Sequence, residues 1–105
     1  MNYQTDEQKP LLIEELQLKK SALVLRAINH KLRQQILKLI HTQGRMTVTE
    51  IYAQLRLEQS VVSQHLSILR KAGYVHTLRE GKFIYYSLNH HKINLVQEIV
   101  QNLLK

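Results

Sequence analysis

The chain has 105 residues, 44% of them hydrophobic and 22% charged, which is the composition of one small globular domain with a modest core. Fifteen Lys and Arg against eight Asp and Glu leave a net charge of +7, a balance that favours partners with phosphate backbones or anionic surfaces. There is no cysteine, so disulfide scaffolds, thiolate metal sites and thiol redox switches are excluded together.

The acids are unevenly placed, with Asp6, Glu7, Glu14 and Glu15 near the N-terminus, so the middle of the chain is more basic than the average. The opening "MNYQTDEQKPLLIEELQLKK" has no apolar run long enough for a secretion signal, and nothing approaches a membrane span. The expected location is the cytoplasm. Residues 1–10 are read as an N-terminal extension, open between order and disorder.

The spacing predicts a first helix over 11–28, led by Pro10, whose missing N–H is tolerated in a first turn. Its apolar positions Leu12, Leu16, Leu23 and Ala27, with Ile13, Val24 and Ile28 beside them, cover an arc too wide for so small a core. Either a partner covers that arc or it is deeply buried. Asn29 is the expected cap of a second helix from about His30 to Thr42, striped by Leu32, Ile36, Leu37 and Ile40 and stopped at Gln43-Gly44. Thr47 and Glu50 have the T-x-x-E spacing of a capping box, opening a short third helix over Val48–Leu55.

A brief connector, "RLEQ", leads into a fourth helix from Ser60 to Ala72, ended by Gly73. Placed on a wheel, Val61, Val62, Leu66, Ile68, Leu69 and Ala72 share one arc, while Ser60, Ser63, Gln64, Ser67, Arg70 and Lys71 share the other. The polar arc is unusual. A merely solvated face favours strong helix formers such as Glu, Lys and Ala, whereas this one spends three positions on serine. It also has no acid from Ser60 to Tyr74. Hydroxyls and carboxamides without acids suit a DNA groove, where they donate to phosphates and read base edges. Thr47, Gln59, Ser60, Ser63, Gln64, Ser67 and Arg70 are therefore the candidate DNA contacts around this helix pair.

After Gly73 the period becomes alternating. "YVHTLRE" and "KFIYYSL" flank Glu80-Gly81 and predict a two-stranded hairpin, with Arg79 and Lys82 beside its turn as two further DNA-contact candidates. A last helix begins at Asn89 or His90 and runs to about Leu104, with Ile93, Val96, Ile99, Val100, Leu103 and Leu104 on one face. The expected architecture is a single, mainly α domain over 1–105 with a small β-hairpin, in the order α-α-α-α-β-β-α.

The stretches "RAINHKLRQQILKLI", "MTVTEIYAQL" and "QSVVSQHLSILRKAGYVHTLREGKFIYYSL" resemble the ArsR/SmtB family of winged helix-turn-helix transcriptional repressors, from about Leu23 to Leu88. The combination "S-x-x-S-x-H-L-x-x-L-x-x-A-G" followed by "R-x-G-K-x-x-Y-Y" is specific. The resemblance implies a homodimer built from the first and last helices (11–28 and 90–104), with Leu12, Leu16, Leu23, Ile93, Val96, Val100 and Leu103 at its interface. It implies binding to a palindromic operator in double-stranded DNA, with Gln59, Ser60, Ser63 and Gln64 on a recognition helix.

Many members of that family sense metals, yet the matching positions here lack the ligands. There is no cysteine motif, and where the family's last-helix site would lie the start reads Asn89-His90-His91-Lys92 and the later positions Gln101, Asn102, Leu103, Leu104. His90 and His91 point about 100° apart on a helix and do not readily share an ion. The expectation is a repressor with no metal site, no cofactor and an inducer the sequence does not name. No Ser/His/Asp or paired-carboxylate constellation suggests an enzyme. Two alternatives stand beside it: a metal-responsive repressor using His90 or His91, and a winged-helix module that binds protein.

Overall fold

The structure is a computed structural model that describes residues 10–105. Five helices and three strands follow in the order α1 (Glu15–Ile28), α2 (Lys31–Gln43), β1 (Arg45–Thr47), α3 (Val48–Leu55), α4 (Gln59–Lys71), β2 (Val75–Glu80), β3 (Phe83–Leu88) and α5 (His90–Leu103). The winged helix-turn-helix expected from the sequence is present, with one strand more than expected.

That strand is β1. It pairs antiparallel with β3, Met46 opposite Tyr86, and the sheet order is β1-β3-β2. Three residues are too few to show an alternating pattern, so nothing local announces the strand. Its existence rests on a partner some forty residues away, Tyr85 to Ser87. The hairpin register puts Glu80 opposite Phe83, so the turn is Gly81-Lys82 and Glu80 belongs to the strand.

One hydrophobic cluster joins the elements. Ile36 and Ile40 of α2, Met46 of β1, Ile51 of α3, Val62, Leu66 and Leu69 of α4, and Tyr74 are all fully buried. A buried tyrosine needs a partner for its hydroxyl, and Tyr74 donates to the Val24 carbonyl of α1 at 2.7 Å. This bond ties the entrance of the wing to the first helix.

The helix ends correct the sequence reading in two places. Leu11 to Glu14 are not helical, and α1 starts four residues later than expected. Glu14 caps it with no side-chain bond, and Leu11 and Leu12 are each 87% exposed. With no packing surface beneath them, an extra turn would gain little against the entropy of ordering it. Asn29, expected to cap α2, instead closes α1 with its N–H on the Leu25 and Arg26 carbonyls. The cap of α2 is His30, whose Nδ1 accepts from the Leu32 N–H at 3.1 Å.

The other caps follow the sequence. Gly44 takes φ +88° at the end of α2, a conformation strained for any side chain. Thr47 and Glu50 form the reciprocal capping box, and Asn89 caps α5 by accepting from the Lys92 N–H. Between α3 and α4 the chain turns through Arg56 at φ 55°, a left-handed residue that is not glycine.

Candidate nucleic-acid interface

A helix can present a face only if its other face is held. Val62, Leu66 and Leu69 anchor α4 in the core with no exposure, and Val61 and Ile68 are half-buried beside them. The expected contact residues Gln59, Ser60, Ser63, Gln64, Ser67 and Arg70 are all exposed on the opposite side. They share an arc of roughly 140° at 100° per residue. Helix α4 starts one residue earlier than expected, so Gln59 belongs to its first turn. That turn carries no acid, and the last turn carries Arg70 and Lys71.

Helix α4 is also tied to α2 by a buried group the sequence reading missed. Arg33 is 8% exposed, with Nε donating to the Ala27 carbonyl at 2.6 Å and Nη2 to the Arg26 carbonyl at 3.3 Å. These are carbonyls at the C-terminus of α1, where the helix runs out of its own donors. The Arg26 carbonyl also accepts from the Asn29 N–H, and the Ala27 carbonyl is held by the guanidinium. Its Nη1 reaches His65 Nδ1 at 3.2 Å. A guanidinium only donates, so His65 Nδ1 accepts and the imidazole proton sits on Nε2. His65 is half-buried as expected, but its bond crosses to another helix instead of closing locally. Burial, and after it the nearby His30 and Arg33, hold its pKa below the ordinary value.

Thr47, expected among the DNA contacts, has its hydroxyl engaged elsewhere. Its Oγ1 donates to Glu50 Oε1 at 3.0 Å and accepts from the Glu50 N–H at 3.2 Å. What remains on that oxygen is an acceptor, which a phosphate cannot use. The bonds from Thr47 hold the Glu50 carboxyl below the usual carboxylate range. Thr47 therefore serves α3.

At the wing, Arg79 and Lys82 are both exposed, as the sequence implied. Arg79 Nε donates to the Gly81 carbonyl at 3.2 Å, and Lys82 Nζ lies 5.5 Å from the Phe83 ring. A third wing cation was not foreseen. Arg45 of β1 reaches Glu80 at 2.8 Å and lies 4.1 Å from the centre of the Tyr85 ring. Only the pairing of β1 with β3 brings it there.

The acid-free helix and the basic hairpin that follows it are both carried by one helix-turn-helix core. The family model described as bacterial regulatory protein, arsR family, matches residues 30–77. PagR, a transcriptional repressor of Bacillus anthracis, is 36% identical over 81 residues, covering 77% of this chain and 81% of PagR. HlyU, a transcriptional activator of Vibrio cholerae, is 30% identical over 96 residues, covering 90% of this chain and 88% of HlyU. This chain belongs to the arsR family.

The crystal structure of PagR is similar throughout, with a TM-score of 0.66 at 32% identity over 83% of this chain and 99% of PagR. Fold and family are those of DNA-binding transcriptional regulators and not of enzymes. The arsR match runs from the His30 cap to Thr77, which takes in α2, β1, α3, α4 and the start of the wing. Helices α1 and α5 lie outside it.

Those two helices carry the residues the resemblance assigns to a dimer. Leu16 and Leu23 on α1 and Val100 and Leu103 on α5 are exposed. Ile93 and Val96 are not. Ile93 packs against the core and Val96 is 5% exposed within the single chain, so each has little surface left for a partner. Leu12 precedes α1 and does not share its face.

The histidines pair differently from the sequence expectation. The imidazole beside His90 is His41 at the end of α2, with ring centroids 5.7 Å apart. Two imidazoles fall short of the three or four donors a structural metal site needs. Among the described residues no group of three His, Asp or Glu converges. No helix of the described residues is long and apolar enough to cross a membrane.

Proposed function

We propose that this regulator is a repressor that binds a palindromic operator as a homodimer, with α4 in the major groove and the wing on the flanking backbone. The observation that carries the reading is the exposed face of α4. Serines and glutamines line it without an acid, opposite a fully buried stripe that fixes its orientation. Gln59, Ser60, Ser63 and Gln64 occupy the N-terminal half, the part of a recognition helix that reaches base edges. Ser67 and Arg70 extend the row toward phosphate, and Arg79 and Lys82 extend it to the wing. The whole of 1–105 acts as one domain.

The dimer is supported by apolar surface that a single chain leaves in water. Leu16, Leu18 and Leu23 on α1 are each at least 58% exposed, and Leu95, Ile99, Val100 and Leu103 on α5 are exposed as well. Two-fold symmetry in the protein then calls for two-fold symmetry in the operator. Repression follows from occupying a site that transcription needs. PagR, a named repressor, favours that outcome, and HlyU, a named activator, marks the alternative.

The test selects duplexes from a random DNA pool and compares the wild type with Ser63→Ala combined with Gln64→Ala. Each good base contact contributes ~1–3 kcal/mol, so losing two should lower selected-site affinity by about thirtyfold or more while the dimer survives. Unchanged affinity would remove α4 as the reading helix. A protein-binding module, the reading from a different class, would show equal affinity for every duplex and no steep salt dependence. Retention of zinc, nickel or cobalt in equilibrium dialysis would return the metal-sensing alternative at His90 and His91. The cytoplasm is where such a protein would meet its DNA.

A further inference from the structure

The wing holds a contradiction in charge. Lys82 sits in the turn and Arg79 just before it, both read as phosphate contacts, yet Glu80 lies between them in sequence. Successive strand residues face opposite sides of the sheet, but Glu80 still lies within a few residues of both cations at the wing tip, where charges a Debye length of about 10 Å apart are felt. An acid there should repel the backbone its neighbours attract.

The register explains how this is avoided. Arg45 opposes Ser87 and Glu80 opposes Phe83, at different levels on the two outer strands of the sheet. The Arg45 side chain bridges that offset diagonally over the central strand. Its guanidinium lies 4.1 Å from the centre of the Tyr85 ring, and Nη1 ends 2.8 Å from Glu80 Oε1. The aromatic face supports the planar cation on the way, a role that guanidinium fills better than ammonium.

We propose that Arg45 is a positioning residue for DNA binding, which masks the charge of Glu80 at the wing so that Arg79 and Lys82 meet phosphate without local repulsion. This rests on the reading of the wing as a DNA contact. The Arg45 and Glu80 side chains are 47% and 50% exposed, and an ion pair so open adds little to stability. What it changes is the local field. Arg45 holds the Glu80 carboxyl below the usual carboxylate range, first by the hydrogen bond and then by its charge. A glutamate is ionised at neutral pH, so the mask acts there.

A rescue experiment separates masking from contact. Affinity for random-sequence duplex DNA is measured across a salt series for the wild type, Arg45→Met, Glu80→Gln and the double variant, with thermal melting to show that each is folded. Arg79→Ala and Lys82→Ala are measured alongside. Arg45→Met should weaken binding by roughly two- to fivefold, the scale of one exposed charge interaction. Glu80→Gln in the Arg45→Met background should restore it. Loss without rescue would overturn the proposal, because Arg45 would then be touching DNA or shaping the wing. No loss in Arg45→Met, with losses in Arg79→Ala and Lys82→Ala, would overturn it as well. If those two alanine variants bind as the wild type does, the wing reading itself fails and the proposal falls with it.

Discussion

Arg33 and His65 stand 32 residues apart in the chain and meet at 3.2 Å, the guanidinium of α2 donating to Nδ1 of an imidazole on α4. The same guanidinium holds the end of α1 through the Ala27 and Arg26 carbonyls. Three helices thus converge on one side chain, and the helix with the exposed Ser/Gln face is among them.

Burial of His65, and after it the nearby His30 and Arg33, makes stability depend on pH. His65 faces Arg33 of α2 and the ring of His30 at 4.8 Å, and its folded pKa is depressed below 6.5. Near and below that value the unfolded chain binds the proton and the folded chain resists it, so stability rises with pH there. The contribution is complete above about 6.5 and is lost as pH falls from there to the depressed folded value. Urea midpoints measured from pH 7.5 down to pH 5 should decrease, and His65→Gln should flatten the slope. An equal slope in the variant would assign the effect to another histidine.

Arg33→Met keeps the aliphatic stem and removes the donors. The Ala27 carbonyl at the buried end of α1 would lose its partner, at a cost of roughly 1–3 kcal/mol. The loss should be read from the denaturant midpoint at pH 7, where His65 is already neutral. A midpoint within error of the wild type would mean that water replaces the guanidinium.

Thr47→Ala removes the capping box. Helix α3 loses the acceptor for the Glu50 N–H and one of the two donors that hold its carboxylate, the Thr47 backbone N–H remaining, and the protein should lose about 1–2 kcal/mol. Once folded at low temperature, the variant should bind DNA as the wild type does, because the hydroxyl proton is committed to Glu50. A DNA defect without a stability defect would restore Thr47 to the contact set.

Leu103→Asp places a charge on the exposed face of α5, at a residue 67% exposed in the single chain. A monomer loses nothing by this substitution. A dimer through α1 and α5 buries an unpaired charge and should dissociate, which sedimentation velocity would show as a fall to monomer mass. Val96→Asp serves as the contrast. That side chain belongs to the chain's own core, and its replacement should unfold the protein instead of merely separating copies.

The elements that the sequence predicted well are those whose signals are local. The box Thr47-Glu50, the stripe Val62-Leu66-Leu69, the Gly44 stop and the alternation from Val75 to Leu88 each need only near neighbours to be read. The acid-free face of α4 is of the same kind, since a residue's side of a helix follows from its spacing. Strand β1 was not legible, because three residues become a strand only when β3 lies beside them. Nor was the late start of α1, where apolar spacing continued through Leu11 to Ile13 without a core to receive it.

By itself, the sequence determined the helix-turn-helix with its basic hairpin and which face of α4 would be polar. Periodicity, caps and charge are properties of neighbours along the chain. Tertiary structure decided the rest: that Arg33 is buried and bound to His65, that Thr47 serves a cap, that Val96 is core while Leu103 is surface, and that Arg45 reaches Glu80 across Tyr85. Each of these is a meeting of residues far apart in sequence. Such meetings are set by how the elements pack, and no local pattern records them.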